Sequence, residues 1–241
     1  MKKILLVVGG SSDIGIAAIS ALLQQYELVV AHYNHMNEKL RELQEKAGNR
    51  LLCLQADLSD EVATDKLVDT IKEMKVIPSD ILHLPAAAYQ VRKFHKTEWN
   101  IFERELNISV RSAVKVCTAF LPEMAKERYG RIVLMLSIVV NGMPPKYNAD
   151  YVLVKYALLG LVKALAVEYA DRGIRVNGIS PALMETKFIE NIHDYIIEQN
   201  AQQSPTGRNL CVEEVIPTIQ FLLSEGAEGI NGQNISITYG R

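Results

Sequence analysis

Tyr151 and Lys155 stand four residues apart in the run Tyr-Val-Leu-Val-Lys. On a helix that spacing puts both side chains on one face. A free phenol ionises near ~10, so its phenolate is scarce at neutral pH. A neighbouring ammonium is expected to lower that value by roughly 1–3 units. Such a tyrosine can give a proton to a ketone oxygen or take one from an alcohol. Ser137 ends a run of almost unbroken hydrophobicity, and its hydroxyl would hold the same oxygen by a hydrogen bond. Taken alone, a Tyr-xxx-Lys pair is far more often an exposed helix face, so its surroundings decide.

A second chemical feature lies near the amino end. The apolar run Ile4–Val8 enters Val-Gly-Gly-Ser-Ser-Asp-Ile-Gly, Val8 to Gly15, and a helical pattern follows. Gly9 lets the backbone turn tightly, and amides at the next helix start can hold a pyrophosphate, aided by the helix dipole. Gly9, Ser11, Ser12, Asp13, Ile14 and Gly15 are therefore candidate cofactor contacts. Asp13 replaces the middle glycine of the dehydrogenase spacing GxxxGxG, and a carboxylate there repels phosphate unless it turns away. It is expected to bond its own helix start and face outward, although Ser12 is an equally good cap. The second strand ends at His32-Tyr33-Asn34-His35. Tyr33 and Asn34 offer no acid to grip a ribose diol, which favours NADP over NAD. Asp57-Leu58, after the third strand, would reach the adenine, or Asp57 would cap the next helix.

The elements that must position these groups alternate along the chain. Lys3–Val8, Glu27–His32, Leu51–Gln55, Ile81–Leu84, Arg131–Ser137 and Arg175–Ile179 read as buried parallel strands, with a last one near Asn234–Thr238. Helical patterns cover Ile14–Gln25, Asn37–Ala47, Glu61–Lys75, Phe102–Arg128, Tyr151–Arg172 and Val212–Ser224. Parallel strands need crossover helices, so the expected fold is an α/β, Rossmann-type doubly wound sheet with helices on both faces. No linker or repeat interrupts it, and residues 1–241 read as one domain. Ala182–Arg208 breaks the rhythm. It is either a surface helix pair or a mobile lid whose apolar face carries Phe188, Ile189, Ile192, Tyr195 and Ile196.

A chain of 241 residues with 49% hydrophobic and 22% charged residues suits one soluble globular domain. A net charge of −2 gives no reason to expect nucleic acid or an anionic membrane as partner. No apolar run approaches the roughly 18 residues of a membrane span. Met1-Lys2-Lys3 and the short run after it read as a first strand rather than an export signal. Cys53, Cys117 and Cys211 lack metal-ligand spacing and read as reduced packing residues of a cytoplasmic protein; no metal site is expected.

Over essentially its whole length the chain resembles the short-chain dehydrogenases/reductases. The matches fall in order: Val8–Gly15, Asp57-Leu58, Asn107, Ser137, Tyr151 with Lys155, Arg175-Val176-Asn177, Pro181 and Thr186. The resemblance implies an Asn–Ser–Tyr–Lys tetrad. Tyr151 would be the general acid/base, and Lys155 would tune it and bond the nicotinamide ribose. Ser137 would orient the substrate carbonyl, and Asn107 would hold a water in a proton relay. It also implies that Ala86, Ala87, Pro181, Met184 and Thr186 line the cofactor. Departures occur where the family's Asn-Asn-Ala-Gly is Leu84-Pro85-Ala86-Ala87, its Pro-Gly is Pro181-Ala182, and its late Gly-Gly is Tyr239-Gly240.

Within the family the chain looks most like the 3-oxoacyl-carrier-protein reductases, on Glu127–Val133 and Ala170–Thr186. An acyl thioester would then be the substrate, and Arg128 and Arg172 would present positive charge beside the pocket to an acidic acyl carrier protein. A sugar, steroid or small alcohol is the alternative substrate, and a binding or regulatory protein without turnover the alternative class. The resemblance implies a homo-oligomer, tetramer or dimer, paired through the two long helices Phe102–Arg128 and Tyr151–Arg172. Leu158, Leu161, Val162, Leu165 and Ala166 would supply apolar surface beyond what one sheet face needs.

Overall fold

The computed structural model describes residues 3–87 and 89–240. Its centre is one parallel sheet of seven strands: β1 (Ile4–Val8), β2 (Leu28–Tyr33), β3 (Leu51–Gln55), β4 (Asp80–His83), β5 (Gly130–Met135), β6 (Ile174–Pro181) and β7 (Asn234–Ile237). Their order across the sheet is β3-β2-β1-β4-β5-β6-β7. The doubly wound arrangement expected from the sequence is thus present. The chain winds outward from β1 in one direction and from β4 in the other, so the order reverses between them and opens a crevice at the carboxyl edge.

Both faces are buried, which is why the strands read as continuous apolar runs rather than as alternation. On one face α1 (Asp13–Leu22), α2 (Glu38–Ala47) and α8 (Ile216–Leu222) pack Ile19, Leu40 and Ile219 against Leu5, Val7 and Val29. On the other, α3 (Glu61–Glu73), α5 (Ser112–Glu127) and α6 (Ala149–Glu168) pack Leu67, Phe120 and Leu158 against Leu6, Val30 and Ile132. Local signals start the helices. Ser12, Asn37 and Asp60 cap α1, α2 and α3 with side-chain oxygens.

Three sequence expectations change. Phe102–Arg128 is not a uniform helix: α4 (Trp99–Glu105) runs into a π-helical stretch, Leu106–Arg111, and then into α5. The Ser112 amide donates to the Asn107 carbonyl, an i to i+5 bond that widens the helix at the candidate tetrad residue. In the segment after β6, a tight turn at Lys187–Ile189 precedes α7 (Asp194–Gln203). Ile189 and Ile192 are buried there, but Tyr195 and Ile196 are 62% and 43% exposed, so the apolar face is narrower than expected. Among the cysteines, Cys117 is buried, Cys53 half-buried and Cys211 exposed. Among the described residues no helix is long and apolar enough to cross a membrane.

Candidate active site

The reversal point opens into a cleft of about 1400 Å³ along the carboxyl ends of β1, β4, β5 and β6. At one end is the turn after β1. Gly9 adopts φ +89°, a left-handed conformation that favours glycine. Gly15 does not line the cleft, but it shapes it from behind: a Cβ there would stand 2.5 Å from the Gly9 carbonyl oxygen. Ser12 Oγ donates to that carbonyl at 2.8 Å and accepts from the Gly15 amide at 3.0 Å. The amides of Asp13 and Ile14 belong to the helix's first turn, whose donors have no helical acceptor. This cradle of small residues and helix-start donors fits a pyrophosphate.

Asp13 does not cap its own helix. Its Oδ2 accepts from the Lys187 amide at 3.1 Å, across the cleft from the turn after β6. The cap position is already filled by Ser12, which leaves Asp13 free to reach that donor. Tyr33 also departs from expectation. Pleat alternation turns it toward the aliphatic cluster under α1 and α2, while His32, Asn34 and His35 line the cleft. Asp57 and Leu58 do line it. Asp57 does not cap α3, since Asp60 takes that role. Instead Asp57 Oδ1 accepts from the Ser59 amide at 2.8 Å and hydroxyl at 2.7 Å, and these bonds lower its pKa.

The other end of the cleft brings Asn107, Ser137, Tyr151 and Lys155 together with Ala86, Ala87, Pro181, Met184 and Thr186. Lys155 is 1% exposed. Its ammonium donates to the Met135 carbonyl at 2.8 Å and lies 5.5 Å from the centre of the Tyr151 ring. Burial pulls the Lys155 pKa down to about 8, while Glu105 favours its charge. Tyr151 differs from expectation: burial raises its pKa, and the Ser137 hydroxyl bond, rather than Lys155, works in the lowering direction. Desolvation of a phenolate outweighs one hydrogen bond here.

Several lining groups, Phe188 of the expected lid apart, carried no sequence signal. Tyr89 packs edge-on to Tyr151 at 5.1 Å between ring centres, and Phe188 lies 5.8 Å from Tyr151. The Asn148 amide donates to the Tyr89 hydroxyl at 2.8 Å, fixing that ring. Glu105 is buried beneath the site, with Oε2 lacking a hydrogen-bond partner. Burial first and Asp150 second push its pKa to about 7. Asp150 itself pairs with Arg92 at 3.6 Å. Where Pro85 replaces the family's asparagine, the Ser109 hydroxyl donates to the Pro85 carbonyl at 3.1 Å and ties the loop down. Asn177, in the Arg-Val-Asn motif, works far from the chemistry: it donates to the Ile230 carbonyl and accepts from the Gln233 amide.

Fold, glycine turn and the tyrosine–lysine pair at one cleft define an oxidoreductase built on a dinucleotide-binding sheet. A family model described as enoyl-(acyl carrier protein) reductase matches residues 9–241. The chain belongs to the short-chain dehydrogenase/reductase family. It is 30% identical over 244 residues to the oxidoreductase YmfI of Bacillus subtilis, covering 100% of this chain and 99% of that one. It is 27% identical over 239 residues to the 3-oxoacyl-[acyl-carrier-protein] reductase FabG of Rickettsia conorii, covering 99% and 96%. Among solved structures, the 3-ketoacyl-(acyl-carrier-protein) reductase of Brucella melitensis complexed with NADH superposes with a TM-score of 0.89 at 21% identity, covering 99% and 98%. ElxO with NADP bound gives 0.86 at 23%, covering 100% and 98%.

Proposed function

We propose that this protein interconverts a ketone and a secondary alcohol by hydride transfer with a nicotinamide dinucleotide, with a 3-oxoacyl thioester as substrate class. One observation carries the reading: Tyr151, its Ser137 hydroxyl partner and the buried Lys155 ammonium sit in the same cleft as the glycine turn. The turn, Asn34, Asp57, Leu58, Ala86, Ala87, Pro181, Met184 and Thr186 would hold the cofactor. When bound, the nicotinamide supplies the hydride donor or acceptor. Ser137 orients the carbonyl oxygen, Tyr151 passes its proton, and Lys155 stabilises the phenolate that results. Asn107, on the widened helix turn, would hold a water linking Lys155 to solvent.

NADP is favoured over NAD because Asn34 and His35 line the cleft beyond β2 where NAD enzymes carry an acid. Tyr89, Met143, Phe188 and Ile189 make the substrate end apolar, which suits an acyl chain better than a sugar. An acyl carrier protein would not dock on Arg128 and Arg172. Both precede strands whose far ends form the cleft, so they stand on the opposite edge of the sheet, and Arg128 is engaged with the Asp171 carbonyl at 2.8 Å. Exposed Lys93 and Lys96, close in sequence to the cleft-lining Arg92, are the better basic rim. The test is titration with NADPH and NADH, followed by a screen of ketones and acyl thioesters by nicotinamide absorbance. Reduction of 3-oxoacyl thioesters with NADPH is expected. Binding of neither dinucleotide would overturn the reading, and turnover confined to polyols would overturn the substrate class.

A further inference from the structure

His32, the next-to-last residue of β2, lies against the glycine turn and is 3% exposed. Three hydrogen bonds converge on it. The Gly9 amide donates to its Nδ1 at 3.1 Å, and the Gly10 amide donates to its backbone carbonyl at 2.7 Å. Its Nε2 lies 3.0 Å from the Ala56 carbonyl. The partners dictate the proton's place. An amide can only donate, so Nδ1 must offer a lone pair. A carbonyl can only accept, so Nε2 must carry the hydrogen. One imidazole therefore joins the pyrophosphate turn after β1 to the Ala56-Asp57-Leu58 loop after β3. We propose that His32 is a positioning residue for dinucleotide binding, holding the turn only as the neutral Nε2–H tautomer, so that cofactor affinity falls when the ring is protonated. The inference rests on the dinucleotide reading of the cleft.

A second proton on Nδ1 would face the Gly9 amide donor-to-donor and release the turn. Burial depresses the His32 pKa below the usual histidine value, while the Ala56 carbonyl and Asp57 oppose that. The field of His83 on β4 also reaches it. The registered neighbours, Val8 on β1 and Leu54 on β3, are aliphatic. The neutral form therefore prevails near pH 7, and the grip is lost as pH falls through the depressed value.

The test measures dissociation constants for NADH and NADPH between pH 5 and 8 for the wild type, His32→Leu and His32→Asn. NADH lacks the 2′-phosphate, which removes the ligand's own titration. His32→Leu is expected to weaken binding about tenfold at pH 8, with the rise in cofactor KM exceeding any fall in kcat. His32→Asn, whose Oδ1 can replace Nδ1 toward Gly9, should recover most of that affinity and lose the wild type's decline toward acid. Nitrogen NMR of the wild-type ring should show the Nε2–H tautomer at pH 8. Wild-type and Leu affinities that agree, with no acid decline, would overturn the inference alone, as would an Nδ1–H ring. A wild type binding neither dinucleotide would overturn the cleft reading and this inference with it.

Discussion

Tyr151, Lys155 and Glu105 share one site, and desolvation moves each toward its uncharged form. The phenol is raised, the ammonium lowered to about 8 and the carboxyl raised to about 7. Tyr151→Phe keeps the ring packing against Tyr89 and removes only the proton donor. Turnover is expected to fall by ~10²–10⁴-fold with cofactor affinity nearly unchanged, as read by stopped-flow absorbance and by titration. Lys155→Met should lower both kcat and cofactor affinity, because both assigned roles of the ammonium are lost. It should also raise the melting temperature at pH 7, since a buried charge whose folded pKa lies below its ordinary value destabilises the fold until pH passes that range. Glu105 has the opposite pH sense. Its folded form keeps a proton up to about 7 that the unfolded chain releases near 4.5, so stability declines as pH rises between those values. Glu105→Gln should leave the melting temperature near pH 4 unchanged and raise it above pH 7. A parallel shift at both pH values would contradict that assignment. Tyr151, Lys155 and Ser137 were legible in the sequence because spacing and residue type define their chemistry. Glu105 and Tyr89 were not, since a glutamate on a helix and a tyrosine in a loop read as solvated until the fold closes over them.

At the scale of elements, the apolar period located the strands and several helix starts, because a sheet buried on both faces must show continuous apolar runs. The π-helical stretch at Asn107 was illegible, as its residues keep ordinary helical character and only the backbone pairing changes. Tyr239 is a case between. Where the family's glycine stands, this tyrosine takes φ +55°, with its hydroxyl on Glu214 and the Arg208 guanidinium 5.0 Å above its ring. Those contacts offset a conformation that costs a non-glycine residue about 1 kcal/mol. The Asp13 bond to Lys187 gives the segment after β6 an anchor in the very turn that would hold phosphate. Asp13→Gly removes that anchor and a like charge beside the pyrophosphate. Hydrogen exchange over residues 186–192 should speed up in the free variant, while dinucleotide affinity rises. Unchanged exchange would show the segment fixed by Ile189 and Ile192 alone. Saturating cofactor and substrate should protect residues 183–203 in the wild type if the segment closes as a lid.

At the scale of the molecule, the surface of α6 bears on association. Leu158, Val162 and Ala166, read from the sequence as spare apolar surface, are buried in the chain's own core, and Leu161 and Leu165 pack half-buried against it. The helix nevertheless leaves another stripe open: Leu153 is 45% exposed, Tyr156 46% and Val167 81%. Exposed Gly160 and Ala164 lie between them at helical spacing, and a Cβ added at Gly160 would meet nothing within 4 Å. Small residues flanked by large apolar ones allow two helices to approach closely, and Val114 on neighbouring α5, 42% exposed, extends the surface. The reading is a two-fold contact in which α6 faces α6 of a second copy, since a self-complementary stripe closes most simply that way. Tyr151 and Lys155, the proposed acid/base pair, lie on the same helix, so association would also stiffen the element that carries them. Val167→Glu combined with Tyr156→Glu places charge toward both ends of that contact while both side chains remain solvated in a monomer. Light scattering at micromolar concentration is expected to give a multiple of 26.9 kDa for the wild type and the single mass for the double variant. A wild type of monomer mass would refute the contact, and an oligomer unaffected by both glutamates would move it to another face.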